Sequence, residues 1–156
     1  MRKLLVLSAL VVLVAVACGD DSGSSNASTG TSVPVRLAGK VNVHGQKDLG
    51  GAATLEIEQD DFYFDPTFVK ASAGQTIKVE LKNEGKSTHT FTIDQLNIDK
   101  ELQPGATAEV DVKLPASGAV TYYCQFHKDQ GMQGAFYFKS GDTASTGAGS
   151  PRRSNY

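Results

Sequence analysis

Residues 75–82 read Gln75-Thr76-Ile77-Lys78-Val79-Glu80-Leu81-Lys82, and their side chains alternate strictly between polar and apolar. Residues 107–114 alternate in the same way. Alternation with a period of two over eight residues is typical of a strand that has one buried face and one exposed face. Such strands occur most often in antiparallel sheets. The two segments therefore predict half-buried antiparallel strands.

Five further segments on either side of these two have the composition of strands. They are residues 53–58, 68–71, 88–94, 119–124 and 134–139. Glycine, proline and asparagine mark turns between the segments, as in Pro104-Gly105. Short strands with closely spaced turns predict an all-β protein, either a sandwich or a barrel. Residues 94–102 fit either a short helix or a crossing loop.

The amino-terminal end has the pattern of an export signal. Met1-Arg2-Lys3 is basic, and residues 4–17 are fourteen consecutive apolar or small residues. This stretch is shorter than the roughly 20 residues that a membrane-spanning helix needs, so it predicts a cleaved signal peptide. The sequence Val14-Ala15-Val16-Ala17-Cys18 resembles the lipobox of bacterial lipoproteins. That resemblance implies a diacylated Cys18 at the new amino terminus, whereas an ordinary signal peptide would leave Cys18 just beyond the cleavage site.

Composition divides the rest of the chain into three parts. Residues 18–38 are mostly Ser, Gly, Asp, Asn, Thr and Ala, which predicts a flexible tether behind the lipidated cysteine. Residues 140–156 are rich in Gly, Ser, Thr and Ala and predict a disordered tail. Residues 39–139, about 100 residues in length, have a normal size for one domain.

Charge and cysteine content exclude some classes of function. Loss of Arg2 and Lys3 with the signal peptide would reduce the 15 basic side chains to 13 against 17 acidic ones, a net charge of −4. This balance, without a basic block, makes a nucleic acid an unexpected partner. The chain has two cysteines, Cys18 and Cys124. Each has a separate predicted use, so no disulfide is expected.

Three side chains that can bind copper fall within nine residues. The segment reads Cys124-Gln125-Phe126-His127-Lys128-Asp129-Gln130-Gly131-Met132. A further histidine, His89, begins a predicted strand and shares a face with Phe91 and Ile93. Cys124 is in phase with Val120 and Tyr122, so both strands can direct a donor into one interior. One thiolate, two imidazoles and one thioether form the donor set of a blue-copper electron-transfer site.

Other metal sites and other chemistry fit these residues less well. Zinc sites use Cys, His and carboxylates, and methionine is not among their usual donors. A dinuclear copper centre would need a second cysteine near Cys124, and a multicopper oxidase would need more than the three histidines present. Cysteine-nucleophile catalysis needs a base and an orienting group held by the fold, which the sequence does not indicate. The third histidine, His44, is interpreted as a surface residue.

Residues 52–139 resemble the small cupredoxins of the plastocyanin and azurin type. The resemblance lies in the ligand segment, in Phe64-Asp65-Pro66-Thr67-Phe68-Val69-Lys70-Ala71-Ser72-Ala73-Gly74, and in Met132-Gln133-Gly134 before the last strand. It implies a Greek-key β-sandwich of about seven to eight strands with the metal at one end. It also implies that one copper ion is bound by the four ligands His89, Cys124, His127 and Met132.

Two positions depart from that family's usual pattern. Thr90 follows the first ligand where many members have asparagine, and its hydroxyl is expected to brace the ligand loops instead. Lys128, Asp129 and Gln130 make the surface after His127 more polar than the usual apolar docking patch. Docking is then expected to depend on charge, or on apolar residues from other loops.

The predicted function is that of an electron carrier, not an enzyme. The chain is expected to move single electrons between redox partner proteins, as a monomer held by its lipid on the outer face of the cytoplasmic membrane. The alternative is an extracytoplasmic protein that binds or delivers copper. A fold retained only for protein contact is the third hypothesis, and the complete ligand set argues against it.

Overall fold

The computed structural model describes residues 33–143, in which two β-sheets pack face to face. The ten strands are β1 Gln46–Asp48, β2 Thr54–Asp60, β3 Tyr63–Asp65, β4 Phe68–Lys70, β5 Thr76–Asn83, β6 His89–Ile93, β7 Ile98–Leu102, β8 Thr107–Lys113, β9 Val120–Tyr123 and β10 Gln133–Tyr137. The helical segments of this range are two 3₁₀ turns, Asp94–Leu96 and Lys128–Gln130. Neither turn has the length or the apolar character of a transmembrane helix.

Strand order differs from chain order in both sheets. The larger sheet has the order β1-β4-β10-β9-β6-β7, and the smaller one has the order β3-β2-β5-β8. The chain therefore crosses repeatedly between the two sheets, and the predicted Greek-key β-sandwich is confirmed. Residues 33–143 contain ten strands rather than seven to eight. The three additional strands, β1, β3 and β7, all lie at sheet edges, where strands are often short or charged and show no clear alternation.

The alternating segment at residues 75–82 forms the centre of the smaller sheet. Ile77, Val79 and Leu81 of β5 are at most 1% exposed, as predicted, while the intervening side chains face solvent. β5 pairs antiparallel with β8 but parallel with β2, so the expectation of purely antiparallel pairing is wrong. The reason is topological, because the chain visits the larger sheet as β4 before it returns alongside β2 in the same direction.

The segment left open in the sequence contains two elements. Asp94–Leu96 forms a 3₁₀ turn, and Asn97 then adopts a left-handed conformation with φ of 52° that reverses the chain. Ile98–Leu102 returns as β7 against β6, with Ile93 opposite Ile98 and His89 opposite Leu102. The three middle residues of β7 are Asp, Lys and Glu and are all exposed, so this strand has no apolar alternation that would indicate it in the sequence.

The main core fills the space between the sheets. Four aromatic side chains meet there, with ring centroids 5.1–6.2 Å apart for the pairs Phe64–Phe91, Phe64–Tyr122, Phe91–Tyr122 and Tyr122–Phe136. The hydroxyl of the fully buried Tyr122 donates to the carbonyl oxygen of Pro66 at 2.8 Å, so the one polar atom of this cluster has a partner. The cluster gives the strands that carry the candidate ligands a rigid support.

The segment before β1 packs along the outside of the larger sheet. Val35 is 2% exposed and belongs to a second apolar cluster with Phe68, Ala119, Ala135 and Tyr137. Arg36 forms an isolated parallel bridge with Thr143. The side-chain amide of Gln133 donates to the carbonyl oxygens of Ala38 and Lys40. Among the described residues, contacts with the sandwich therefore occur both before residue 39 and after residue 139 of the chain.

Several predictions lie wholly or partly outside the described residues. They are the signal peptide at 1–17, the lipidation site Cys18, the tether before residue 33 and the tail after residue 143. These remain predictions, as do the domain boundaries at 38/39 and 139/140.

Candidate metal centre

Three of the four predicted ligands converge at one end of the sandwich. The donor atoms of His89, Cys124 and His127 all lie within 4.8 Å of one another. The two Nδ1 atoms are 3.2 Å apart, and Sγ of Cys124 lies 3.4 Å from Nδ1 of His127 and 3.8 Å from Nδ1 of His89. The fold therefore brings His89 and Cys124 close together in space although 35 residues separate them in the sequence, as strand phase predicted.

The strands place His89 and Cys124, and the loop after β9 places His127. His89 is the first residue of β6, and Cys124 comes directly after β9. In the loop, the N–H of His127 donates to the carbonyl oxygen of Cys124 at 3.2 Å, and the N–H of Met132 donates to that of His127 at 3.2 Å. Cys124 N–H donates to the carbonyl oxygen of Met132 at 3.0 Å. These bonds close the loop so that its first and last residues lie side by side.

Met132, the predicted fourth donor, lies at the end of the same loop. It is fully buried and packs in the main core directly before β10. Its backbone is bonded to both Cys124 and His127. Gly131, just before it, has φ of +104°, a conformation that suits glycine and turns the loop toward β10. Coordination by Met132 Sδ remains a prediction.

The spacing of the donor atoms fits one metal ion. Two donors that share an ion at bond lengths of about 2.0–2.3 Å lie about 3.3–3.8 Å apart for angles between trigonal and tetrahedral. The three observed separations, 3.2, 3.4 and 3.8 Å, lie within about 0.1 Å of that interval. Two imidazoles with one thiolate form the trigonal set of a type 1 copper site, and the thioether is its weak axial partner. The group therefore matches one copper ion.

The electrostatic surroundings keep both imidazoles available to a metal. Burial lowers the pKa of His89, with the carboxylate of Asp61 acting in the opposite direction, and burial also lowers the pKa of His127. Both rings are then neutral near pH 7, as ligation requires. His89 and Cys124 are fully buried, whereas His127 is partly exposed. Of the three converging donors, His127 is the one in contact with solvent.

Aromatic side chains surround the exposed edge of His127. The ring of Phe62 lies 4.4 Å from that of His127, centroid to centroid, and Phe126 is 54% exposed. Lys128 places its ammonium group 4.2 Å from the centre of the Tyr123 ring. The surface near the site is thus polar at Lys128–Gln130 and apolar at Phe126 and Phe62, which belong to two different loops. Phe62 thus brings an apolar ring from another loop beside His127, and docking at this surface remains a prediction.

Thr90 has the bracing role expected for it. Its backbone N–H donates to Sγ of Cys124 at 3.4 Å, and its hydroxyl oxygen accepts the N–H of Gln125 at 2.8 Å. The hydroxyl also lies 3.0 Å from that of Thr92, which donates to Asp99. Thr90 is 3% exposed, and its contacts with Cys124 and Thr92 are buried, whereas its bond to Gln125 is partly buried. One residue thereby contacts the sulfur of Cys124 and fixes the backbone that follows it.

Two residues near the site have no recognisable signal in the sequence. Asp61, in the turn between β2 and β3, places Oδ1 3.0 Å from Nε2 of His89. Asn42 donates through its side-chain amide to the carbonyl oxygens of Phe62 and Gln130, both at 2.9 Å. Both residues lie far from the ligand segment in sequence. His44, as interpreted, is exposed and lies away from the metal group, stacked on Tyr63 at 3.5 Å between ring centroids.

The fold and this donor group define the class of small copper-binding β-sandwich proteins. The family model of the cupredoxin-like domain matches residues 37–136, and the chain belongs to that family. A segment of 50 residues is 36% identical to the copper-resistant cuproprotein CopI of Pseudomonas aeruginosa. The match covers 32% of this chain and 28% of CopI, so the chain spans less than a third of that relative's length.

The solved structures similar to the chain at low identity include two auracyanins. One is the dithionite-reduced auracyanin of Roseiflexus castenholzii, at 22% identity and a TM-score of 0.49, covering 61% of this chain and 99% of auracyanin. The other is auracyanin A of Chloroflexus aurantiacus, described as a blue copper protein. It has 22% identity and a TM-score of 0.46, covering 61% of this chain and 100% of auracyanin A.

Proposed function

We propose that this chain is a mononuclear type 1 copper protein that passes single electrons between redox partner proteins. The observation that carries the proposal is the convergence of two Nδ1 atoms and one Sγ within 4.8 Å, in a largely buried group followed by Met132. His89, Cys124, His127 and Met132 would hold the ion. When bound, copper supplies a one-electron couple between its cupric and cuprous states.

The protein's own contribution is to keep the donors in place. The loop from Cys124 to Met132 is closed by three backbone hydrogen bonds, and Thr90 fixes the residue after the cysteine. A rigid donor set that lies between the preferences of the two oxidation states needs little rearrangement on electron transfer. The ring of His127, beside Phe62 and Phe126, is the one of the three converging donors in contact with solvent, so electrons would pass through it to a docked partner.

The same surroundings support a carrier rather than an enzyme. Within residues 33–143, His89 and Cys124 are fully buried and His127 is the one of the three converging donors in contact with solvent, which suits a protein that exchanges only electrons at this site. We also propose, from the sequence alone, that the mature chain is exported, monomeric and held by a lipid on Cys18 at the outer face of the cytoplasmic membrane. Partners are then redox proteins of that compartment.

Copper handling is the second candidate function. The 36% identity to a copper-resistant cuproprotein over 50 residues favours it. A protein that stores or delivers copper would bind the ion through the same donors but release it to an acceptor. The two functions differ in whether the copper or only the electron leaves the protein.

The experiment uses the full chain and starts with cupric ion. One equivalent should give an intense thiolate-to-copper absorption band in the visible, and Cys124→Ser should abolish it while the protein stays folded. A colourless or weakly bound complex would contradict the type 1 site. A reversible one-electron couple with copper retained supports electron transfer, whereas ready loss of cuprous ion to a chelator of moderate affinity supports delivery.

A further inference from the structure

The inner ligand His89 has a carboxylate on the side of its ring that faces away from the metal group. Nδ1 of His89 lies among the donor atoms, and Nε2 lies 3.0 Å from Oδ1 of Asp61. The His89 side chain is 0% exposed, and that of Asp61 is 25% exposed. If Nδ1 holds a metal, Nε2 must carry the ring proton, so His89 donates this hydrogen bond to Asp61.

Asp61 is itself fixed by the turn that leads into His89. Its Oδ2 accepts the N–H of Lys86 at 3.0 Å, and its Oδ1 accepts the N–H of Ser87 at 3.3 Å. Accepting several N–H groups favours the ionised form of a carboxylate. The turn between β2 and β3 is thereby tied to the turn between β5 and β6, directly before the ligand.

Gly85 makes the approach of the two side chains possible. A Cβ atom at this position would lie 2.7 Å from Oδ1 of Asp61 and 2.8 Å from Nε2 of His89. Any larger residue would therefore enter the hydrogen bond between them. The N–H of Gly85 donates to the carbonyl oxygen of Gln59 and to Oδ1 of Asn83, both of which fix the turn.

We propose that Asp61 is a positioning residue of the copper site, which fixes the tautomer of His89 and shifts the site's preference toward cupric ion. This inference rests on the proposed copper-binding function. A carboxylate that accepts the distal N–H of a ligating histidine orients the ring and raises its basicity as a donor. The added negative charge stabilises the more highly charged metal state.

Asp61 would affect the step in which a donor protein transfers one electron to the bound copper. The Nε2 proton stays on His89 in both states, and no bond of the protein forms or breaks. Asp61 therefore acts through the relative affinities for the two oxidation states. Those affinities set the reduction potential of the site.

The test compares three variants of the full chain with the unsubstituted protein. Asp61→Asn removes the charge, and Gly85→Ala keeps the charge but separates the carboxylate from the ring. Glu84→Gln is the control, because it removes one charge from the same turn at an exposed side chain that pairs with Lys82. Reduction potentials are measured by spectroelectrochemistry after loading with copper.

Loss of the contact should lower the ratio of cupric to cuprous affinity by about tenfold in both Asp61→Asn and Gly85→Ala. For a one-electron couple this corresponds to a rise of about 59 mV in potential. Glu84→Gln should change the potential much less. Potentials of Asp61→Asn and Gly85→Ala that match that of Glu84→Gln would overturn the inference.

A second measurement needs no copper. In the metal-free protein, two-bond ¹H–¹⁵N correlations of the His89 ring should show the Nε2–H tautomer alone, and Gly85→Ala should show a mixture. An unchanged single tautomer in Gly85→Ala would overturn the positioning role. Absence of a copper-dependent couple in the unsubstituted protein would instead contradict the proposed function, and the tautomer pattern would still decide the role of Asp61.

Discussion

Single hydrogen bonds decide how well the donors of the metal group are held. Thr90 is the clearest case, because its backbone N–H contacts Sγ of Cys124 and its hydroxyl accepts the N–H of Gln125. Thr90 is 3% exposed and its bond to the N–H of Gln125 is partly buried, so water can replace the lost partner of that N–H only in part. A residue adjacent to a ligand can thus matter for stability even when it does not contact the metal.

Replacing the hydroxyl of Thr90 should destabilise the protein without changing side-chain volume. Thr90→Val leaves the N–H of Gln125 without its acceptor and should lower the free energy of unfolding by about 1–3 kcal/mol. Thr90→Ser keeps the hydroxyl and is the matched control. Urea unfolding of the metal-free variants measures the difference, and equal stability of the two would show that the hydroxyl does not brace the loop.

The two buried imidazoles make the metal-free fold sensitive to acid. Burial lowers the pKa of His89 and of His127 in the folded state. Below about pH 6.5, the usual histidine pKa, the unfolded chain therefore binds more protons than the folded one. Stability should be complete above that pH and fall as the pH decreases through the folded-state values. Thermal unfolding of the metal-free protein between pH 8 and pH 5 tests this, and a constant midpoint would contradict it.

At the scale of strands and loops, the features that the sequence predicts are those marked by a regular spacing of residues. Strand phase predicted that His89 and Cys124 would share an interior, and the segment from Cys124 to Met132 predicted the loop. The edge strands β1, β3 and β7 have no clear alternation, so their pairing partners decide that they are strands. Asp61 and Asn42 reach the site through tertiary contacts between turns, and no spacing in the chain indicates such contacts.

The packing of β10 against β9 predicts a strong effect at Gly134. A Cβ atom there would lie 2.4 Å from the carbonyl oxygen of Thr67 and 2.5 Å from the ring of Tyr122. Gly134→Ala should therefore cost about 1–3 kcal/mol or more, because neither the backbone nor the buried ring can move freely.

A surface glycine provides the comparison for Gly134. A Cβ atom at Gly105 would meet open space, but the φ of this residue is +75°, so Gly105→Ala should cost only the backbone strain, about 1 kcal/mol. Chemical denaturation of both variants gives the difference. A smaller loss for Gly134→Ala than for Gly105→Ala would contradict the close packing of β10.

At the scale of the whole molecule, the described amino-terminal segment belongs to the fold. Composition predicts a flexible tether as far as residue 38, because small polar residues dominate it. Within the described part of this segment, Val35 is packed in the cluster with Phe68 and Tyr137, while the boundary at 38/39 remains a prediction. A composition average over twenty residues conceals a single buried side chain of this kind.

Two valines separated by one residue test that conclusion. Val35→Ala should lower the free energy of unfolding of the full chain by about 1–2 kcal/mol, because it removes buried methyl groups. Val33→Ala is the control, since Val33 is 44% exposed, and it should change stability by less than about 0.5 kcal/mol. Similar effects of the two substitutions would show that Val35 does not contribute to the core.

The bridge between Arg36 and Thr143 also shows at which end of the sandwich the described chain enters the fold. Thr143 bonds to Ala119 at the beginning of β9, whereas Cys124 follows the end of that strand, about 16 Å away at about 3.3 Å per residue. The chain therefore enters the sandwich at the pole opposite the metal group. If the proposed lipid anchors the chain ahead of residue 33, the point of attachment to the fold lies opposite the metal group, and the predicted flexible tether leaves the surface around His127 accessible to a partner in the surrounding aqueous space.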